Sequence, residues 1–359
     1  MKKIFISGNF LSGKQTILYL LDNHKNIISN FIHDKFIKSI IDLNNKIEKN
    51  IDKKINLNTK LNSRVIEISN FRNEKTYLGF ENFIESFNLS NLKHTEHFAL
   101  LKIMPNSFSA INKDYLEFNF DYENFTKNLK TRIFLGDQKK FTIENIFDIY
   151  INSFIENWKN LNLQLKDINA LNFATKLPNK ALSAEFILKQ KFDSKIIYVD
   201  RELLSILKSR TLNMMVQNQI ELKNFDIYFN NQLRTNFIER VSYNKREIIK
   251  LKKKYNNVYI TSLEKLTKDT KDEVKKIYSF LNLSNPNPEE IQPTYCGKKI
   301  GVDHINQIND DKYKVSNKNY IFYQFRTYKF LDAFILLCKN IKYFDLFLLS
   351  IYLKLKHKI

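Results

Sequence analysis

Glycine is scarce in this chain: there are 6 in 359 residues, with only 5 prolines beside them. That scarcity excludes collagen-like repeats, Gly/Ser linkers and proline-rich segments, and it makes the position of each glycine informative. Cysteine is almost absent. Cys296 and Cys338 cannot form a disulfide framework and do not have metal-ligand spacing, so a reducing, cytoplasmic setting fits. The apolar run after Met1-Lys2-Lys3 stops at Ile6, too short for the core of a secretory signal. Acidic residues are few, 38 against 58 basic ones, and the net charge of +20 asks for an anionic partner: a nucleotide, a nucleic acid, an acidic glycan or a membrane surface. No basic tail or nucleic-acid motif stands out, so nucleic acid is not expected. The density of Lys, Asn and Ile throughout also admits a simple compositional bias. Hydrophobic residues make up 43%, enough for a sizeable core in one large α/β domain or two ordinary ones.

Two of the few glycines fall close together in "KIFISGNFLSGKQT", residues 3–16. Ile4-Phe5-Ile6 reads as a short buried strand. Ile17, Leu18, Leu20 and Leu21 give a helical face that ends near Asp22-Asn23-His24, with His24 placed to cap it. Gly8, then four residues, then Gly13-Lys14 therefore occupies a turn between strand and helix. That is where backbone amides converge on an anion at the positive end of a helix. Gln15 stands where a triphosphate-binding loop has the Ser or Thr that holds magnesium.

Further along, residues 25–170 alternate polar loops with helical runs. The clearest helix is Thr142 to Leu163, where Ile143, Ile146, Phe147, Tyr150, Ile151, Phe154 and Trp158 recur at helical spacing as core or substrate-wall packing. Lys195 to Val199 reads as a buried strand and Glu202 to Arg210 and beyond as a helix with Leu203, Leu204, Ile206 and Leu207 inward. Val258-Tyr259-Ile260 is a third strand before a helix around Asp272 to Leu283, and Pro286, Pro288 and Pro293 mark a loop. Strands alternating with helices predict a mainly parallel sheet.

Several of these stretches together resemble the sulfotransferases that use 3'-phosphoadenosine 5'-phosphosulfate. "IFISGNFLSGKQTILYLLDNHKNI" is similar to that family's loop for the 5'-phosphosulfate, and "TKLPNKAL" to its Lys-x-Pro stretch upstream of the central strand. "KIIYVDRELLSILKSR" is similar to its strand with an Arg at the end and a Ser eight residues on, both gripping the 3'-phosphate. "VYITSLEKL" followed by "DEVKKIYSFLNL" resembles its later strand and helix, and "CGKKIG" its Gly-and-Lys loop over the 3'-phosphate. The resemblance covers most of residues 1–30 and 172–300 and implies an α/β P-loop fold of three layers, spanning residues 1–319. A mostly helical insert occupies about 35–170, and an amphipathic helical extension follows at 320–359.

The resemblance also implies roles. Ser12, Gly13, Lys14, Gln15 and Thr16 would cradle the 5'-phosphate. Arg201 and Ser209 would hold the 3'-phosphate, with Gly297, Lys298 and Lys299 closing over it. Lys176, two residues before Pro178, matches a catalytic Lys in the tyrosylprotein branch of the family, and Lys14 is its competitor for that role. His33, with Asp34 beside it, lies where the family places its general base and titrates near neutrality. Sulfuryl transfer from this donor to a hydroxyl or amine needs no metal. A glycan or lipid-linked glycan is the expected acceptor. The chain departs from the family at Leu11, where a cation is usual, at Lys14 for Thr, at Glu202-Leu203 for Asp-Pro, and at Leu263-Glu264, where Tyr is lacking. A P-loop kinase or NTPase, and a binding module that kept the fold without the chemistry, therefore stay open as rivals. The tail reads as two amphipathic helices with basic flanks, broken too often by Lys or Asp for a membrane span. It would pack on the domain or on a second subunit, or dock on a membrane surface.

Overall fold

Isoleucine-rich runs without alternation suit strands covered on both faces, and two such runs lie side by side in this fold. The computed structural model describes residues 1–9, 12–30, 65–67, 122–132, 140–158, 171–177, 181–190, 193–284, 286, 291–295, 298–299 and 315–357. Strand β1 (Lys2–Gly8) is followed by helix α1 (Lys14–Asp22) and β2 (Ile27–Ser29). Then come β3 (Val65–Glu67), α2 (Tyr122–Lys130), β4 (Lys140–Thr142) and α3 (Ile143–Glu156). The sheet resumes with β5 (Asn172–Lys176), α4 (Ala181–Lys189) and β6 (Ser194–Asp200). Helices α5 (Leu203–Gln217), α6 (Phe225–Leu233) and α7 (Phe237–Lys254) follow, then β7 (Val258–Ser262), α8 (Leu263–Lys268) and α9 (Thr270–Leu281). A small hairpin, β8 (Thr294–Tyr295) with β9 (Lys298–Lys299), precedes α10 (Asn317–Thr327), α11 (Phe330–Lys339) and α12 (Phe344–Lys356).

The main sheet has the order β2-β5-β1-β6-β7, and every neighbouring pair is parallel. The chain leaves β1 toward β2 on one side and leaves β6 toward β7 on the other. The order therefore reverses between β1 and β6, where the carboxyl ends of the strands open a crevice. Register places Gly8 beside Val199, Ile6 beside Lys176 and Asp200 beside Ser262, so the ends of four strands meet at one edge.

Three expected strands are present and two further ones, β2 and β5, join them. β2 has only three residues and β5 reads Asn-Phe-Ala-Thr-Lys, so neither carries a strong strand pattern. The middle strand is β1, not the 195–199 segment, which lies beside it. Lys176 belongs to β5 as its last residue and is not part of a loop before the sheet. The aromatic stripe of α3 is core: Phe147 packs edge-on against Phe5 at 5.7 Å and Phe154 against Phe173 at 5.2 Å. Its described helix stops at Glu156, short of the expected Leu163. Asn157 Nδ2 donates to Ser153 O at 2.7 Å, and the backbone N–H groups of Asn157 and Trp158 reach only three residues back, which tightens and ends the turn. The rest of the expected helix, 159–163, lies outside the described residues.

Around this sheet the buried side chains of α1–α4, α7 and α9 form one apolar cluster. A second cluster joins α5–α7 to the C-terminal helices through Ile206, Leu207, Phe229, Phe322, Phe325 and Phe347. Arg326 of α10 is enclosed there with no exposed side-chain surface. Its Nη2 donates to Thr235 O at 3.1 Å and pairs with Glu239 at 2.8 Å. Burial pushes its guanidinium down from the usual range and Glu239 partly restores it. Removing the cation strands a largely buried carboxylate. Arg326→Ala should cost about 3 kcal/mol by denaturant melts, the low end for a broken buried pair because Glu239 keeps some exposure. The Arg326→Met/Glu239→Leu double variant should recover most of that loss; additive losses would show that the pair is not what joins the two layers.

Candidate functional site

A strand that ends in glycine can hand the chain to a helix through conformations closed to other residues. Gly8 ends β1 at φ 152° and Gly13 precedes α1 at φ 95°. A Cβ on Gly8 would sit 2.6 Å from the Val199 carbonyl and collide with Ser12 Oγ, while one on Gly13 would sit 2.8 Å from Leu263 Cδ1. The two glycines let the loop press against β6 and the start of α8.

Among the described residues, no side chain caps the N-terminus of α1. Gly13 offers no side-chain cap, and the first helical turn carries no acid. Such an end has amides without intrahelical partners and the positive pole of the helix dipole. Within the loop Ser12 N–H donates to Asn9 O at 3.2 Å and Thr16 N–H to Gly13 O at 3.0 Å. Ser12 is fully buried and its hydroxyl oxygen has no hydrogen-bond partner among the described residues. A buried hydroxyl of that kind costs free energy unless something completes it.

Two lysines are added to this positive pole. Lys14 opens α1, and its Nζ lies 3.3 Å from Gly8 O and 3.4 Å from Leu177 O. Lys176, at the end of β5, donates from Nζ to Gln15 Oε1 at 2.8 Å. Burial first, and the neighbouring Lys176 charge second, pull the Lys14 ammonium down to about 7 from 10.5. A cation in the first turn of a helix is the unfavourable end of the dipole. Three positive features therefore crowd one point: a helix terminus and two ammonium groups.

The next strand end carries a second cationic group. Arg201 follows β6 directly, and its Nη1 donates to Ser209 Oγ at 3.1 Å, so the spacing of eight becomes a contact across the first turns of α5. Asp200 is not its counterion: that carboxylate pairs with Lys245 of α7 at 2.5 Å. Glu264, in the first turn of α8, accepts from the Glu202 backbone N–H at 2.9 Å and so fixes the entry to α5.

Expected site residues thus fall into two groups, one at β1/β5 (Ser12 to Thr16, with Lys176) and one at β6 (Arg201 with Ser209). His33 and Gly297 lie outside the described residues, as does Leu11. Lys298 and Lys299 form β9, paired with Thr294 and Tyr295. His24 lies one residue past the cap, which is Asn23. It is fully buried, its Nδ1 accepts from the Asn26 N–H at 3.0 Å, and its ring packs edge-on against Tyr278. It shapes the turn into β2.

Sequence reasoning missed the polar chain that holds the loop. Asn9 Nδ2 donates to Tyr198 OH at 3.1 Å, and Asn244 Nδ2 donates to Asn9 Oδ1 at 3.0 Å. Asn244 Oδ1 in turn accepts from Ala181 N–H at 3.2 Å, which ties loop, β6, α7 and α4 together. An Asn directly after a strand-ending Gly is the one local signal that could have marked it. At the end of β2, buried Asn30 donates to Tyr150 OH at 2.8 Å and to Thr175 Oγ1 at 3.4 Å.

No family model matches the chain, and no curated protein matches it. Among solved structures it is similar to the sulfotransferase domain of the Synechococcus PCC 7002 olefin synthase, at 13% identity and TM-score 0.43 over 94% of this chain and 93% of that one. It is also similar to the sulfotransferase domain from the curacin biosynthetic pathway, at 13% identity and TM-score 0.41 over 85% and 81% of the two chains. A third likeness is to sulfotransferase STF9 from Mycobacterium avium, at 12% identity and TM-score 0.35 over 88% and 77%. At such identities and scores, chemistry has to be read from the residues.

The Lys14 amine gives a test of its burial beside a second cation. Its folded value, about 7, lies below the 10.5 of an unperturbed lysine, so the charged form is disfavoured in the fold. The penalty is complete below about pH 7 and fades as pH rises toward 10.5. Lys14→Met should therefore raise the melting temperature most at and below pH 7, with the advantage shrinking at alkaline pH. A difference that does not change with pH would mean that the ammonium is not strained there.

Proposed function

We propose that the chain is a sulfotransferase that binds 3'-phosphoadenosine 5'-phosphosulfate across the ends of β1, β5 and β6. It would move the sulfuryl group to a hydroxyl or amine acceptor, in our reading a carbohydrate or glycolipid. One observation carries this: two cationic sites, Lys14/Lys176 at the N-terminus of α1 and Arg201 with Ser209, stand at the ends of strands in one sheet edge. A ligand with anions at two separate positions on a nucleoside suits that pair. The orphaned Ser12 hydroxyl and the glycine-walled loop fit the 5'-phosphate end.

In this reading the roles divide as follows. First-turn amides of α1, the Ser12 hydroxyl and Lys14 hold the 5'-phosphate. The Arg201 guanidinium offers a forked donor to the 3'-phosphate, Ser209 adds a hydroxyl, and Gly297, Lys298 and Lys299 close over it. The acceptor oxygen attacks sulfur in line, the bond from sulfur to the bridging oxygen breaks, and the acceptor proton passes to a base, for which His33 is the candidate. Lys176 meets the charge that grows on the departing oxygen, the task left open by Leu11. A kinase or NTPase reading is less favoured, because Gln15 Oε1 at the magnesium position is already engaged by Lys176 Nζ.

Calorimetry separates donor classes. 3'-Phosphoadenosine 5'-phosphate should bind without magnesium and far more tightly than ATP. Arg201→Ala should weaken it by about 2–4 kcal/mol while scarcely affecting adenosine 5'-phosphosulfate, which lacks the 3'-phosphate. Magnesium-dependent ATP binding with no binding of the bisphosphate would overturn the proposal. Donor binding without transfer to a broad acceptor panel would instead favour a binding module.

Lys176 has its own signature. Lys176→Ala should lower turnover by ~100-fold or more at saturating donor, the scale for one preorganised donor, with little change in donor affinity. Lys14→Ala should do the reverse. Near-normal turnover in Lys176→Ala would remove it from the mechanism.

A further inference from the structure

Helices α11 and α12 are apolar on both faces, which is the pattern of a helix buried all round, yet only one face is covered. Inward, Ala333, Leu337, Leu346, Phe347 and Leu353 enter the second apolar cluster. Outward, Phe330, Leu331 and Leu355 are 66%, 67% and 68% exposed, and Ile341, in the turn between the helices, is 75% exposed. Phe334, Ile335, Phe344 and Leu348 extend the same apolar surface. Phe330 and Phe334 stack at 6.5 Å, and both lie against the buried Phe347, which anchors them to the second cluster. A groove of about 390 Å³ runs into it between Phe330, Ala333, Phe347, Ile351 and Leu355, with Lys329 and Lys354 among its walls.

The rim is cationic. Residues 328–357 hold four exposed lysines, Lys329, Lys339, Lys342 and Lys356, against Asp332 and Asp345, while Lys354 Nζ donates to Tyr328 O at 2.6 Å. Lys342 lies over the Tyr343 ring at 5.2 Å and Lys356 over Tyr352 at 5.7 Å. We propose that this face docks the protein on an anionic lipid bilayer, with the α11–α12 apolar surface in the headgroup boundary and the lysines among lipid phosphates. Three features select this occupant. Apolar and aromatic side chains ringed by lysines on short helices are the composition of an interfacial anchor. α11 and α12 have 10 and 13 residues, roughly 15 and 20 Å at helical rise, so they lie on a bilayer and do not cross it. Among the described residues no helix is long and apolar enough to span one. A second copy of the chain, itself at +20, would set one lysine rim against another, whereas anionic lipid neutralises it.

The test uses the full chain and does not depend on the donor. Sedimentation with phosphatidylcholine vesicles, with and without phosphatidylglycerol, should show ~10-fold or tighter binding when the anionic lipid is present, weakened by salt. Phe334→Glu/Ile335→Glu changes only exposed positions and should abolish binding. Lys339→Glu/Lys342→Glu should remove the preference for anionic lipid. A polarity-sensitive fluorophore on exposed Cys338, in a Cys296→Ser background, should report an apolar environment only with anionic vesicles. No sedimentation with phosphatidylglycerol vesicles, binding unaffected by the Phe334/Ile335 pair, or a dimer in solution dissolved by that pair would each overturn the proposal, the last in favour of a second copy.

Discussion

Positive charge is held at the N-terminus of α1 without an acid in that turn to balance it. Lys14 and Lys176 approach the same helix end that the backbone dipole already makes positive, and burial first, with the Lys176 charge second, pulls Lys14 down to about 7. A folded chain tolerates such crowding only where other contacts fix the groups in place. An anion relieves all three features at once, which is why the proposed donor site centres there. The parallel sheet makes the crowding possible: side-by-side parallel strands bring several carboxyl ends to one edge, where antiparallel neighbours would alternate.

The contacts that hold this edge are neutral or local. Asn9 links to Tyr198 and Asn244, and Asn244 links on to Ala181, so the loop is moored to β6, α7 and α4 without spending a cation. Burial keeps the Tyr198 phenol well above its usual range, hence neutral and suited to accept from Asn9. Among the described residues, Asp200 pairs with Lys245 and Glu264 accepts from the Glu202 amide.

Helix α5 belongs to both halves of the molecule. Its first turns carry Ser209 within reach of Arg201, and its Ile206 and Leu207 open the cluster that continues into α10–α12. The C-terminal helices are therefore packed on an element of the proposed site.

Part of the sheet edge was legible in the sequence. Buried strands without alternation and a glycine pair between strand and helix are local patterns, and a backbone with two soft dihedrals per residue leaves such patterns few ways to fold. Arg201 and Ser209, which do touch, were instead singled out by the family resemblance. The local patterns determined β1, α1, β6, α5 and the loop. Only the tertiary structure decided the order β2-β5-β1-β6-β7, the meeting of Lys176 with Gln15 161 residues away, and the depressed Lys14. The same holds for the tail, whose periodicity marked apolar faces and not which of them is covered. Periodicity records which residues avoid water. The partner that excludes the water, and the field that neighbouring charges exert through it, come from chain segments far apart in sequence.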